Sequence, residues 1–497
     1  MKTKSLCPQC LAVLDAEIYE VAGEIRLKKR CAVHGEFDDL YWSDAALYHK
    51  FAQWGVGRDE GAAGIQNTEV KRGCPLDCGL CPEHKSSTML AIIDVTNRCN
   101  QRCPICFANA AVSGYLYEPT MEQLEQMMQL LRSEVPPCPA IQFAGGEPTV
   151  RKDFVEIVRR AHELGFTHLQ VATNGLAMAK SVSFCHELKE AGLHTVYLQF
   201  DGVTDEPYKV LRGYPALTQK VKAIDNCLAG EIKSVVLVPT LAKGVNDDQI
   251  GAIVRFAAKR LQIVKGVNAQ PISFEGRVED SERRAQRITI PDFIRLLEEQ
   301  TNGEIPRESF YPVPFVLPIS YFVEAWKRVP QIEFTVHPHC GAATYVFVEN
   351  GRFIPITAFM DVEGFMEFLN EAAAEMNPSK IGKLKATAAL IAALRRFVDK
   401  DKAPEKFDPL TLLANVLGIG NREAVAEFHR KALYIGAMHF MDPYNFDLER
   451  VRRCGIHYAT PDGRIIPFCT YNALHRSAVE RAFAQPFSSP PPSPEPT

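Results

Sequence analysis

The stretch MLAIIDVTNRCNQRCPICF, residues 89–107, decides how this chain folds. Its first half is a short apolar run of strand length. Its second half is a loop that sets Cys99, Cys103 and Cys106 at a C-x3-C-x2-C spacing. A closed structural metal site takes four protein ligands. Three thiols on one tight loop therefore either await a fourth ligand, as at zinc, or leave a centre deliberately open. Thiolates are soft ligands that suit zinc or iron–sulfur clusters. A four-iron cube held by three cysteines keeps one iron free for a substrate or cofactor.

Working outward, the apolar runs LAIIDV, AIQFAGG, HLQVATNG, TVYLQFDG, SVVLVPTL and VNAQPIS recur through residues 88–280. Between them lie amphipathic stretches of helical length, such as TMEQLEQMMQLLRSE and DFVEIVRRAHELG. Short apolar strands alternating with helices predict a parallel sheet with right-handed crossovers. Six such units make an α/β fold with a partial (β/α)6 barrel. Functional groups in these architectures gather at the C-terminal ends of the strands. Those ends here read AGGEP (144–148), ATNG (172–175) and QFDG (199–202).

The chain has 497 residues, 46% of them apolar and 23% charged, which fits a large soluble core. A net charge of −4 gives no field that would draw nucleic acid. The first residues, MKTKSLCPQC, lack the apolar segment of a secretory signal, and no apolar run is long enough to span a bilayer. The expectation is a cytoplasmic enzyme, with peripheral membrane contact left open. Fifteen cysteines are the anomaly, and most are clustered. Without a secretory signal, clustering reads as metal binding rather than disulfides.

The loop CNQRCPIC at the end of a first barrel strand resembles the signature of the radical S-adenosylmethionine (radical SAM) enzymes. The resemblance implies a [4Fe–4S] cluster on Cys99, Cys103 and Cys106, whose open iron chelates the methionine part of SAM. One electron, from a reduced flavodoxin- or ferredoxin-type donor, cleaves SAM. The resulting 5′-deoxyadenosyl radical takes hydrogen from an unactivated C–H bond. Gly145, Gly146 and Glu147 resemble the family's GGE motif. The glycines would let backbone approach the ligand, and Glu147 would sit near the SAM ammonium. Thr173, Asn174, Gln199 and Asp201 are further candidate SAM contacts. In the family an aromatic residue usually precedes the third cysteine. Here that position is Ile105, and Phe107 follows.

The N-terminal CPQC and CAVHG give Cys7, Cys10, Cys31 and His34 a closed knuckle over residues 1–40, resembling rubredoxin or a zinc ribbon and holding mononuclear iron or zinc. In segment 41–87, Cys74, Cys78 and Cys81 repeat the C-x3-C-x2-C spacing and read as an auxiliary [4Fe–4S] site, with zinc as the alternative. In region 281–485, mostly helical, Cys340 joins Cys454 and Cys469, which flank a hairpin turning at PDGR. These three form a second auxiliary set, or one of them completes the first. Residues 486–497, rich in proline and serine, read as a disordered tail.

Over nearly the whole chain this arrangement resembles the archaeal tetraether lipid synthase group, members of which are also described as dihydropterin C-methylating enzymes. The resemblance implies C–C coupling of lipid chains as the first expectation. Modification of a small molecule such as a pterin, or of a peptide, is the alternative, and a non-catalytic electron carrier is the contender from another class. A lipid needs a long apolar channel, for which PFVLPISYF, FMEFLNEAAAEM, TLLANVLGIG and ALYIGAMHFMDPYNF are candidates, although apolar stripes usually make core. A pterin needs a small pocket with a few polar groups and aromatic stacking.

Overall fold

A computed structural model describes residues 1–54, 68–110, 113–276, 282–376, 379–405, 407 and 432–485. The expected tail at 486–497 and the segment TLLANVLGIG lie outside these residues. The chain opens with an antiparallel sheet of β1 (Lys2–Leu6), β2 (Val13–Val21), β3 (Glu24–Cys31) and β4 (Gly35–Trp42), paired in that order. Period-two alternation turns Ile25, Leu27, Lys29 and Cys31 of β3 inward. A helix, Ala45–Ala52, follows, its first turn capped by the Asp44 side chain.

The barrel strands are β5 (Leu90–Thr96), β7 (Ala140–Gly145), β8 (His168–Thr173), β9 (Thr195–Gln199), β10 (Ser234–Val238) and β12 (Val264–Pro271); β6 (Leu116–Tyr117) and β11 (Thr240–Leu241) are short intervening pieces. The six pair in parallel in the spatial order β12-β10-β9-β8-β7-β5. Helices cover the outer face. Met121–Ser133 shows why: a capping box of Thr120 and Gln123 starts it, and Leu124, Met127, Met128 and Leu131 recur at helical spacing on its buried side. This is a partial (β/α)6 barrel with a cysteine-rich N-terminal sheet.

The C-terminal region contributes the expected helices Val362–Ala374 and Lys380–Phe397. It also extends the sheet with β13 (Tyr311–Pro312), β14 (Gly341–Glu349), β15 (Arg352–Pro355), β16 (Ala432–Met438), β17 (Ile456–Ala459) and β18 (Ile465–Pro467). β16 adds in parallel beside β12, and β17 in parallel beside β5, so the tail of the chain borders both edges of the barrel. The segment ALYIGAM, within the region expected to be mostly helical, is β16. It lies between β12 and β14, and a strand buried on both faces carries no period-two signal. The expected hairpin at PDGR is present as β17–β18.

PFVLPISYF and FMEFLNEAAAEM line no channel. Phe315, Phe322, Phe365 and Leu369 from these segments pack into a separate core cluster. No helix among the described residues is long and apolar enough to cross a membrane.

Candidate active site at the mouth of the barrel

β5 ends at Thr96 and delivers Cys99, Cys103 and Cys106 to the C-terminal end of the barrel. The neighbouring GGE segment grips the root of this loop. Gly146 N donates to Thr96 O at 2.7 Å, and Glu147 N to Arg98 O at 2.8 Å. A Cβ on Gly145 would lie 2.1 Å from Thr96 O, and one on Gly146 2.2 Å from Arg98 O. Gly145 also has φ +128°. Close approach to the protein's own cysteine loop therefore demands these glycines, which also line the cavity.

Glu147 is 1% exposed and serves as a clamp. Its Oε1 accepts from Thr173 Oγ1 (2.7 Å), Thr149 Oγ1 (2.5 Å) and Thr149 N (3.2 Å), and its Oε2 from Asn174 N (2.8 Å). Oε1 is fully engaged by three donors, while Oε2 accepts one and keeps an acceptor position. Glu147 thereby ties the ends of β7 and β8 together while also lining the cavity beside the thiols. Asn174 Nδ2 in turn donates to Asn100 Oδ1 at 2.7 Å, fastening β8 to the cysteine loop.

Asp201 is likewise held inside the protein. It pairs with Arg212 through two 2.8 Å bonds and accepts from Thr240 N at 3.1 Å. Arg212, rather than Asp201, reaches the cavity wall. Gln199 faces the cavity while its Oε1 accepts from Lys220 Nζ at 2.8 Å. Lys220 is fully buried, also donates to Asn174 O at 2.6 Å, and is pushed down to about 8 by burial. Sequence reading missed Arg212 and Lys220. They sit on helices after the motif strands, and no local pattern marks them.

The three thiols line a cavity of about 410 Å³ inside the barrel mouth. Burial raises the Cys99 and Cys103 thiols above the ordinary range. Bare, they would stay neutral; as thiolates they need positive charge, which an iron–sulfur cluster and the adjacent Arg212 supply. Because a cube's cysteines bind different irons, they need not converge on one point. The donor set therefore fits a [4Fe–4S] cluster. Ile105 packs beside Leu211, Ala242, Ile272 and Phe274. Phe107 instead approaches Phe468, which stacks on Phe440 with centroids 3.9 Å apart and lies beside Tyr458. One side of the cavity is thus aromatic. The lumen beneath carries Gln142, Gln170, Tyr197, Asn268 and Gln270. Glu275 also lines it, its carboxyl raised well above the usual range by burial.

At the N-terminus the ligand atoms of Cys7, Cys10, Cys31 and His34 all lie within 4.8 Å of one another. His34 Nδ1 is 3.5 Å from both Cys7 Sγ and Cys31 Sγ, spacing that suits one tetrahedral ion. Backbone N–H groups of Val33 and His34 hold the Cys31 thiol down at about 6. Cys74, Cys78 and Cys81 line a second small cavity with His84. Cys340, Cys454 and Cys469 come together from three segments around Arg450, whose Nε donates to Cys340 Sγ at 3.4 Å. Arg450 is 2% exposed and has no carboxylate within ion-pair distance among the described residues. Thiolates are the countercharge available to it. Cys138, Cys185 and Cys227 are buried in the main core.

The model of the radical SAM superfamily matches residues 93–257, and that of the HMPTM N-terminal zinc ribbon domain residues 1–43. The chain is 53% identical over 489 residues to the 7,8-dihydro-6-hydroxymethylpterin dimethyltransferase of Methanocaldococcus jannaschii, covering 98% of this chain and 96% of that one. It is 33% identical over 169 residues to a probable GTP 3′,8-cyclase of Pyrococcus abyssi, 34% of this chain and 52% of that one. Among solved structures, Streptococcus suis SuiB bound to precursor peptide SuiA aligns over 45% of this chain and 47% of that one, with 16% identity and a TM-score of 0.36. A [4Fe–4S] cluster and SAM are the cofactors this implies, together with a mononuclear metal at the N-terminal knuckle. With identity of that degree over nearly its full length, the chain is a radical SAM enzyme and belongs to the family of the Methanocaldococcus pterin dimethyltransferase.

Proposed function

We propose that this enzyme C-methylates a small, flat, amide-bearing heterocycle of the dihydropterin class. The observation that carries the reading is the cavity beside Cys99, Cys103 and Cys106: an aromatic side of Phe107, Phe440, Phe468 and Tyr458 facing a lumen rich in carboxamides. Flat heterocycles gain from both surfaces, by stacking on rings and by hydrogen bonds at their edges. An alkyl chain would gain from the aromatic side alone. It would strip water from Gln142, Gln170, Asn268 and Gln270 without replacing it, at a cost of roughly 1–3 kcal/mol for each unpaired group. This argues against the lipid coupling expected first from sequence, as do the two candidate channel segments that lie in core; a third, ALYIGAMHFMDPYNF, gives Met438, Phe440 and Met441 to this cavity. The relative's pterin substrate supports the same class.

Cys99, Cys103 and Cys106 would hold the cluster, and with SAM it supplies the means to remove a hydrogen atom from an unactivated C–H bond. The protein's own work is positional. Gly145, Gly146 and Glu147 clip the cysteine loop to β7 and β8. Asp201 orients Arg212 toward the thiols. The aromatic side and the amide lumen hold the substrate ring and shield it from water. The methyl group that replaces the hydrogen comes from a co-substrate, SAM or a folate.

The test is anaerobic incubation of cluster-loaded protein with reductant, SAM, a reduced folate and 7,8-dihydro-6-hydroxymethylpterin, followed by mass spectrometry. The expected product is the pterin heavier by one or two CH2 units, with 5′-deoxyadenosine. Deoxyadenosine without any methylated pterin would overturn the substrate assignment.

A further inference from the structure

Within the lumen, one cluster leaves its hydrogen bonding incomplete. Tyr197 and Gln199 of β9, and Asn268 and Gln270 of β12, line the cavity from either side of β10. They do so because inward residues recur every second position along a strand. Tyr197 Oη accepts from Asn268 Nδ2 at 2.5 Å and from Gln270 Nε2 at 3.3 Å. Those two bonds use both acceptor positions of the phenol oxygen, so its own proton has no acceptor among the described residues. Asn268 is 8% exposed, and its buried Oδ1 has no donor. Exchanging the oxygen and nitrogen of the Asn268 amide does not repair this. Tyr197 then donates to Oδ1, and Nδ2 is left with nothing to bond. In either assignment a buried polar position at the cavity wall lacks a partner. Buried polar groups are rarely left so, because each forgoes the hydrogen bond it made to water.

With the Asn268 amide exchanged, the missing partner brings an acceptor; with the amide as placed, it brings a donor and an acceptor side by side. The N–H and C=O of a lactam do this, and the pyrimidinone ring of a pterin presents such an edge. We infer that Tyr197, Asn268 and Gln270 read the lactam edge of the substrate heterocycle and set the enzyme's specificity. The inference rests on the pterin reading above and adds which edge of the ring is bound and by which residues. Phe440 and Phe468 would take the ring's face, while the lactam edge points to β9 and β12, away from the thiols. The carbon that reacts is then on the opposite side of the bicyclic ring.

Equilibrium binding to anaerobic, cluster-loaded protein tests this with two fluorescent probes. One is 7,8-dihydro-6-hydroxymethylpterin. The other is its 2,4-diamino analogue, in which an amino group replaces the carbonyl and the adjacent ring nitrogen loses its hydrogen. Wild-type protein should prefer the oxo compound. Asn268→Leu should weaken its binding by about 10–100-fold and erase the preference. Tyr197→Phe, which removes one oxygen, should cost about tenfold. Asn268→Asp supplies acceptors only and should shift preference toward the donor-rich diamino compound, a gain that a misfolded protein cannot show. Unchanged affinity and preference in all three variants would overturn this assignment while leaving the pterin reading standing. A wild-type protein that binds neither compound would overturn the pterin reading and the assignment with it.

Discussion

Two cysteine-bearing loops in this molecule use the same ligand chemistry to opposite ends. At the N-terminal knuckle, four donors from the β-hairpins converge within 4.8 Å, so one ion is enclosed completely. At the barrel mouth, three thiols spread around a cavity with no fourth cysteine or histidine beside them among the described residues. The first is closed and lies far along the chain from the motif strands. The second is open toward a cavity of about 410 Å³, large enough for a small molecule. A ligand set that is saturated builds structure; one that is a ligand short leaves a coordination position for chemistry.

Breaking either side of the contrast should have different consequences. Cys103→Ala is expected to abolish deoxyadenosine formation while mononuclear metal at the knuckle stays at wild-type content. Persistent cleavage would mean that the open loop is not the SAM site. Cys31→Ala should do the reverse. Knuckle metal is lost, the N-terminal sheet loosens, and the melting temperature falls by several degrees, with cluster iron retained. If iron and cleavage vanish with it, the knuckle is not an independent structural unit.

The auxiliary sets lie between these extremes, and Arg450 sharpens the comparison. A buried cation against Cys340 Sγ should favour the more negative, reduced state of a cluster held there. Arg450→Gln is therefore expected to lower one cluster potential by about 60 mV, roughly tenfold in a one-electron equilibrium, without moving the others. A redox titration followed by electron paramagnetic resonance reads this. Shifts in every cluster, or in none, would disconnect Arg450 from a single centre.

How much of this was legible in sequence follows from the range of each interaction. The barrel was, because alternating strands and helices are encoded locally. The loop of Cys99, Cys103 and Cys106 was too, since spacing of a few residues defines a loop, whereas Cys340, Cys454 and Cys469 meet only through the fold. β16 was not: its neighbours β12 and β14 lie far away in the chain, and ALYIGAM has no period of its own. A further role of Gly145, Gly146 and Glu147 was hidden for a related reason. Their partners are Thr96, Arg98 and Thr173, supplied by other segments, so the motif fastens the cysteine loop as well as lining the cavity. The amides of the lumen were hidden because Gln142, Gln170 and Asn268 come one from each strand and meet only when the sheet curves.

The opposite end of the barrel gives the smallest expected effect. Glu134 caps the C-terminus of Met121–Ser133, below the start of β5 and away from the cysteine loop. It is 2% exposed; Oε1 accepts from Thr88 Oγ1 at 2.8 Å, while Oε2 has no partner. Beyond Thr88 lies His457, which burial holds neutral. Burial raises the Glu134 carboxyl to about 7. Between the unfolded value of about 4.5 and about 7, the folded state binds the extra proton, so stability falls as pH rises across that window. The loss is complete above it, at about 3 kcal/mol at most. Glu134→Gln keeps the acceptor for Thr88 and removes the charge. Its melting temperature should match wild type near pH 4.5, exceed it increasingly toward pH 7, and hold a lead of a few degrees at pH 8. Deoxyadenosine formation should be unchanged, since this end of the barrel carries stability and the other carries the chemistry. A lead that does not grow with pH would place the carboxyl in its ordinary range. A loss of cleavage would join the two ends that the fold keeps apart.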